Sequence, residues 1–501
     1  MSNNLCDIAV LGMAVMGKNL ALNIADNDYK VAIYNRTTSK AIAAAEENPE
    51  QNLSVFVTLE ELVANLKRPR KLLLMVKAGA AVDKLIESLL PLLDEDDIIM
   101  DGGNSHFQDT QRRFEELQQH DIQYLGVGVS GGEEGARRGP AIMPGGSKAA
   151  YDAVADIFEA ISAKVNDNEA CEAYMGSGGA GHYVKMVHNG IEYADMEIIA
   201  EIYSLLKANG YSNLEIADVF ENWDRGDLSS YLSEITVDIL REKDLENPED
   251  DLLDDIESQV GAEYRAVGAD NESEFLLDHI LDISEQKGTG KWTNQEGLEL
   301  HVDLSILYSG LNARYMSAEK TLRVQASEIL PAGVDAENAL GKPNIDIEEL
   351  GNAFLLARLI AYAQGFALYK SASKAYGWDL DYKSIAATFR GGCIIRSKLL
   401  VPIMEAYDKN PDLDNLLLAD NFEAAISQGI TALRKLVSTA SLAGVAIPAF
   451  SSALAYYDSL RAARSQANMI SAQRDYFGAH TYRRTDRDGV YHHEWNDETA
   501  E

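Results

Sequence analysis

The sequence predicts an N-terminal α/β domain on a parallel, doubly wound sheet, then a large all-α domain and a C-terminal tail. Three observations predict it. Up to residue 180, short apolar runs alternate with helical patterns, the signature of strands joined by crossover helices. A glycine-rich turn joins the first apolar run to the first helical pattern, as in a βαβ unit. Beyond residue 180 the short runs give way to long amphipathic stretches.

Taken in order, the run CDIAVL (Cys6–Leu11) ends at Gly12, a helical pattern follows over Gly17–Ile24, and a second run, Val31–Tyr34, ends at Asn35. Further strand-like runs are Lys71–Val76, Asp97–Met100 and Tyr124–Val129. Gly139-Pro140 and Pro144-Gly145-Gly146 read as a rigid, turn-rich connection. The expected division is residues 1–180 for the α/β domain and 181–440 for the helical domain, with helices over Gly181–Ala208 and Ile347–Tyr376. Residues 441–501, rich in Tyr, Arg and His, read as a helix and an extended tail.

A chain of 501 residues exceeds one ordinary core. Its 46% hydrophobic and 25% charged residues are those of a globular protein. No run reaches the ~20 apolar residues of a membrane helix. Met1–Asp7 carries no basic n-region or cleavage site, so the expectation is a cytoplasmic chain. The three cysteines, Cys6, Cys171 and Cys393, have no framework spacing. No Cys/His group has ligand spacing, the adjacent His492 and His493 included, so no metal is expected. A formal charge of −36 argues against nucleic-acid binding, which needs phosphates neutralised. Sixteen acidic residues against three basic ones lie between Arg241 and Glu285. That segment reads as a solvated surface excursion.

The first turn reads Gly12-Met13-Ala14-Val15-Met16-Gly17, a dinucleotide fingerprint with alanine at the middle glycine. Its N–H groups at a helix start can receive a pyrophosphate; a ligand-free tight turn is the alternative. An NAD enzyme carries Asp or Glu after the second strand, for the ribose 2′-hydroxyl. Here Asn35-Arg36-Thr37 stands instead, and a guanidinium suits a 2′-phosphate. The expected cofactor is therefore NADP; a plain surface arginine is the alternative at Arg36. Val76-Lys77-Ala78 and Asp101-Gly102-Gly103-Asn104-Ser105 follow later runs, at the strand ends where ligands sit.

Ser130-Gly131-Gly132 lies in a second glycine-rich loop that can form an anion nest; a plain loop is the alternative. Downstream, Lys185, His188, Asn189 and Glu192 fall at i, i+3, i+4 and i+7, one helical face. Such a stripe is equally what a solvated face looks like. If functional, a lysine of lowered pKa serves as general base and the glutamate as a separate acid. Lys287, Arg314 and Arg474 are candidates for a phosphate pocket, and each taken singly reads as a surface charge.

These segments together resemble the 6-phosphogluconate dehydrogenase family over nearly the whole chain, in the same order. The resemblance is carried by GMAVMG (12–17), YNRT (34–37), VKAG (76–79), DGGNS (101–105), GVSGGEEGAR (128–137), GAGHYVKMVHNGIEY (179–193), QKGTGKW (286–292), FRGGCIIRS (389–397) and AQRDYFGAH (472–480). It implies oxidative decarboxylation of 6-phosphogluconate with NADP, in the pentose phosphate pathway and gluconate utilisation. Lys185 is implied as the base and Glu192 as the acid. Asn104, Ser130, Gly131, Gly132, His188 and Asn189 are implied at the sugar acid. Tyr193, Lys287, Thr289, Arg314 and Arg474 are implied at the phosphate, with His480 beside them. It also implies a homodimer with shared active sites, the Arg474–His480 segment reaching the neighbouring subunit. The acidic stretch before Lys287 is longer than the family pattern requires. Two other readings stay open here: a related β-hydroxyacid dehydrogenase without decarboxylation, and a non-catalytic NADP-binding sensor.

Overall fold

The computed structural model describes residues 5–166, 168–244, 267, 273–286, 288–331 and 345–495. They fall into two compact units, Met1–Ala453 and Leu454–Glu501.

The first unit opens with strands β1 (Ile8–Leu11), β2 (Val31–Tyr34), β3 (Leu53–Val55), β4 (Lys71–Leu74), β5 (Ile98–Asp101), β6 (Gln123–Ser130) and β7 (Ala141–Gly146). Helices α1 (Val15–Asp26), α2 (Thr38–Glu46), α3 (Leu59–Ala64), α4 (Ala80–Leu89), α5 (Phe107–Gln118), α6 (Gly132–Arg138) and α7 (Lys148–Ile161) alternate with them. The sheet order is β3-β2-β1-β4-β5-β6-β7. Its first six strands pair in parallel and β7 runs antiparallel to β6. Alternate residues point into two cores: Ile8, Val10 and Leu73 pack in one, Ala9, Leu11 and Leu72 in the other. Burial on both faces is why these strands read as continuous apolar runs.

The five expected strands are present. β3 was not expected, being three half-buried residues at the sheet edge. The expected turn-rich connection at Pro144-Gly145-Gly146 is corrected: these residues end β7. Proline is tolerated on an edge strand, and the glycines serve close approach instead of turning. A Cβ on Gly145 would lie 2.2 Å from the Gly181 nitrogen, and one on Gly181 would lie 2.4 Å from the Gly126 oxygen. The bare backbones let helix α8 (Ala180–Ala208) seat its first turn directly on β6 and β7.

α8 is the axis of the helical part. Helices Thr289–Glu299, Ser305–Ala318 and Ile347–Tyr376 pack around it. Val184, Val187 and Ile191 are fully buried. Arg358 donates to Asp195 at 2.8 Å and to the Leu228 carbonyl at 3.2 Å, so a buried charge pair is also hydrogen-bonded, as burial demands. Among the described residues, helices and isolated bridges make up the chain from 181 to 440.

Two helices, Pro448–Leu460 and Ala467–Gly478, stand where one was expected near the C-terminus. Within the second unit, the buried Asp475 carboxylate organises the tail. It accepts from the Thr481 amide (3.0 Å), His492 Nδ1 (2.9 Å), the His493 amide (3.0 Å) and Trp495 Nε1 (2.8 Å). Those donors hold its pKa well below the carboxylate range against burial, and Asp475 raises that of His492 in return. His492 is thus engaged as a tether to an acid. Among the described residues no group of three or more His, Cys, Asp or Glu side chains could hold a metal ion, and no helix is long and apolar enough to cross a membrane.

Candidate active site

Two regions of the first unit carry the chemistry-bearing residues: a cleft at the carboxyl ends of β1, β2 and β4, and a buried polar row on α8.

The cleft encloses about 670 Å³ and is lined by Gly12, Ala14, Asn35, Arg36, Thr37, Val76 and Lys77 among others. Gly12 sits at φ +112°, and a Cβ there would lie 2.3 Å from the Met75 carbonyl, so only glycine makes this turn. Ala14 has φ −79° and ψ 178°, a conformation open to any residue, and it is exposed. Alanine is therefore tolerated where the fingerprint has its middle glycine. α1 has no side-chain cap and no acid in its first turn, which leaves its N–H groups and dipole open to an anion. Asn35 braces the turn: its Oδ1 accepts from the Met13 amide at 2.9 Å and its Nδ2 donates to the Thr37 carbonyl at 2.9 Å. The lining holds no Asp or Glu, and adds two cations that the sequence reading missed, Lys40 and Lys84. Of the other fingerprint residues, Met13 is buried, Val15 is exposed and Met16 is half-buried; Gly17 packs against the Gly12 carbonyl. Ala78 is half-buried in the β4–α4 loop.

Next to the cleft, Asn104 is exposed on the loop after β5. The loop is held by Asp101, which accepts from the Gly103 amide (3.0 Å), Ser105 (2.6 Å) and buried Arg113 (3.2 Å). Arg113 also donates to Asp83 (2.7 Å) and to the Gly79 carbonyl (3.1 Å). One arginine thereby ties together the loops after β4 and β5. A single arginine inside a helical pattern gives no sequence signal for such a role.

On α8, Lys185 and His188 are buried, and Asn189 is 9% exposed, so the solvated-face alternative is corrected. Apolar residues flank the stripe, and β6 and the segment 389–393 cover it. Lys185 Nζ donates to Ser130 Oγ at 2.8 Å. Ser130 Oγ lies 3.3 Å from His188 Nε2, and His188 Nδ1 lies 3.0 Å from Asn189 Oδ1. Asn189 Nδ2 donates to Thr289 Oγ1 at 3.1 Å. With the His188 proton placed on Nδ1, each group donates to the next, from Lys185 to Thr289; Lys185 Nζ also lies 3.4 Å from His188 Nδ1. Glu192 Oε2 lies 3.7 Å from His188 Nδ1. Gly128 makes the approach possible, since a Cβ there would lie 2.6 Å from the Lys185 Cβ.

Burial lowers the Lys185 pKa, with Glu192 opposing. Burial and then Lys185 push His188 well below the usual imidazole value. Burial raises Glu192, with Lys185 and Arg314 opposing. On one helix face, then, an amine is shifted down and a carboxyl up, the opposed pair of shifts that acid–base chemistry uses. Gly131 and Gly132 take positive φ beside Ser130, and a Cβ on Gly131 would lie 2.6 Å from the Gly392 carbonyl. Phe389 meets the His188 ring edge-on at 5.1 Å. The FRGGC segment is thus the far wall of this site.

The Arg314 guanidinium stacks 3.6 Å from the centre of the Tyr193 ring, and Gly290 abuts the same ring. Tyr193, Thr289 and Arg314 therefore gather at one end of the row. Lys287 lies outside the described residues. Arg474 and His480 are exposed in the second unit.

A family model described as the NAD binding domain of 6-phosphogluconate dehydrogenase matches residues 7–176, and one described as the C-terminal domain of 6-phosphogluconate dehydrogenase matches residues 181–495. A decarboxylating 6-phosphogluconate dehydrogenase of Lactococcus lactis is 50% identical over 491 residues, 98% of each chain. An NADP(+)-dependent, decarboxylating one of Bacillus subtilis is 50% identical over 489 residues, 97% of this chain and 98% of its own. A solved structure of the Plasmodium falciparum 6-phosphogluconate dehydrogenase, described as apo, with its cofactor NADP+ and with its substrate 6-phosphogluconate, is 42% identical. It superposes with a TM-score of 0.89 over 98% of this chain and 100% of its own.

Proposed function

The chain belongs to the 6-phosphogluconate dehydrogenase family, and from that premise we propose that it converts 6-phosphogluconate and NADP to ribulose 5-phosphate, CO2 and NADPH. The observation that carries this reading is the buried row on α8, where Lys185 and Glu192 are shifted in opposite directions within one network. The carboxylate-free cleft, with its uncapped helix terminus and its cations, fits NADP. NADP supplies the hydride acceptor. Gly12–Gly17, Asn35, Arg36, Thr37, Val76, Lys77, Ala78 and Asn104 are its proposed holders.

Neutral Lys185 takes the proton from the substrate 3-hydroxyl as the hydride leaves C3. The resulting 3-keto acid loses CO2 because its β-carbonyl accepts the electron pair, and protonated Lys185 polarises that oxygen. Glu192 then protonates C1 of the enediol. Ser130 and His188 fix the Lys185 amine, and Asn189, Gly131, Gly132 and Asn104 line the sugar acid. Tyr193, Thr289 and Arg314, with Lys287, Arg474 and His480, are proposed at the phosphate.

The same reading divides the chain into a cofactor part (1–180), a helical substrate and dimerisation part (181–440) and a tail (441–501) that reaches the partner. A homodimer in the cytoplasm belongs to it. Exposed Tyr308, Tyr315, Met316, Leu322 and Ile329 on two successive helices support an interface there. Turnover of unphosphorylated gluconate tests the phosphate pocket. Its kcat/KM is expected to fall about 10²-fold or more below that of 6-phosphogluconate, since the charge-assisted bonds that the phosphate would make to Arg314 and its neighbours are lost. Equal values would contradict the pocket.

A further inference from the structure

We propose that Lys84 is a specificity-determining residue for the cofactor: a cation on α4 that selects the 2′-phosphate from the cleft wall opposite Arg36. The inference rests on the NADP reading above and adds to it a residue that no motif marks.

α4 is divided by charge. Ala80, Ala81, Lys84, Leu85 and Ser88 line the cleft, a spacing that places them on one helical face. Asp83 and Glu87, the two acids of this helix, line a different depression with Arg112 and Arg113. Asp83 is held there by Arg113 Nε at 2.7 Å and Arg112 Nη2 at 2.9 Å. These bonds, the Arg113 one first, lower its pKa. The cleft-facing side of α4 is thereby left with one charge, and it is positive.

The opposite wall has the same character. Arg36 and Lys40 line it, and α2 begins beside them with no acid in its first turn and no side-chain cap. Arg70, by contrast, is taken up by Asp94 and Asp97. Arg36, Lys40, Lys77 and Lys84 form no ion pair among the described residues. In a chain of net charge −36, four unpaired cations converging on a carboxylate-free cleft create a local positive field against the global one. Leu59 and Leu85 supply the apolar part of the lining, suited to an adenine ring. Ala80 and Ala81 leave room for it. Lys84 neighbours Leu85 on that lining, and its ammonium is proposed at the adenosine end, where NADP and NAD differ by one phosphate.

The test compares dissociation constants of NADPH and NADH, by fluorescence titration of the full-length protein, for the unaltered chain and for Lys84→Gln, Lys84→Glu and Glu87→Gln. Lys84→Gln is expected to weaken NADPH about tenfold and to leave NADH within about twofold, with Lys84→Glu widening the effect on NADPH alone. Glu87→Gln, on the other face of the same helix, should move neither. An unchanged NADPH constant in both Lys84 variants overturns the proposal. So does an equal loss for NADH, which would mark a contact to the shared part of the cofactor, and so does failure of the unaltered protein to bind NADPH. Binding is read instead of turnover, so a protein that binds NADPH yet does not oxidise 6-phosphogluconate would sink the reaction while still deciding the role of Lys84.

Discussion

Lys185→Met is expected to lower kcat about 10³–10⁴-fold, the upper part of the range for a positioned general base, while NADPH binding is unchanged. The side chains are similar in length, so what is removed is the amine that donates to Ser130 at 2.8 Å. Loss of fold is separated from loss of the base by the melting temperature. Burial lowers the Lys185 pKa, so folding opposes its protonation. A lysine with a folded pKa below its unfolded one costs stability once pH falls below the unfolded value, and the cost levels off below the folded value. Methionine carries no such cost, which offsets the loss of the hydrogen bond to Ser130, so the variant is expected to melt close to the parent at neutral pH. The pH profile gives a second signature. Activity of the parent falls as pH drops and Lys185 gains its proton. That acid limb should vanish from the residual rate of the variant. Undiminished turnover would remove Lys185 from the role of base.

Glu192→Gln should cost about 10²–10³-fold in kcat and act on the other limb. Burial raises the Glu192 pKa, against Lys185 and Arg314, so the carboxyl keeps its proton to higher pH than a free glutamate and activity is lost as pH rises through that raised value. Glutamine preserves shape and hydrogen bonding but cannot deliver a proton to C1. The alkaline limb should flatten, and CO2 release should run ahead of ribulose 5-phosphate formation in a single turnover. A variant with the parent's kcat and both limbs intact would assign protonation of C1 elsewhere.

Much of this site is legible in the sequence alone. The stripe at 185, 188, 189 and 192 is a matter of helical spacing. The bounds of α8 and of Ile347–Tyr376 follow from long amphipathic patterns that few alternatives fit. Periodicity did not reveal whether the stripe faces solvent or core. That depends on β6, separated from α8 by whole elements, and on Phe389 and Gly392, which lie far beyond α8 along the chain. Pro144-Gly145-Gly146 misled for a related reason. Locally such residues signal a turn, whereas here their missing side chains admit the α8 backbone, a tertiary demand invisible in a window of six residues. Arg113 and Lys84 gave no signal because neither sits in a motif. Their meaning comes from which loops and which cleft the fold brings to them.

The most direct measurement is the yield of NADPH and of CO2 from 6-phosphogluconate, with NAD run in parallel and no metal added. Equal amounts of both products with NADP, and a marked preference over NAD, are what the site predicts. A folded, NADPH-binding protein that forms neither product would contradict the assignment of Lys185 and Glu192 and favour a non-catalytic, NADP-sensing role.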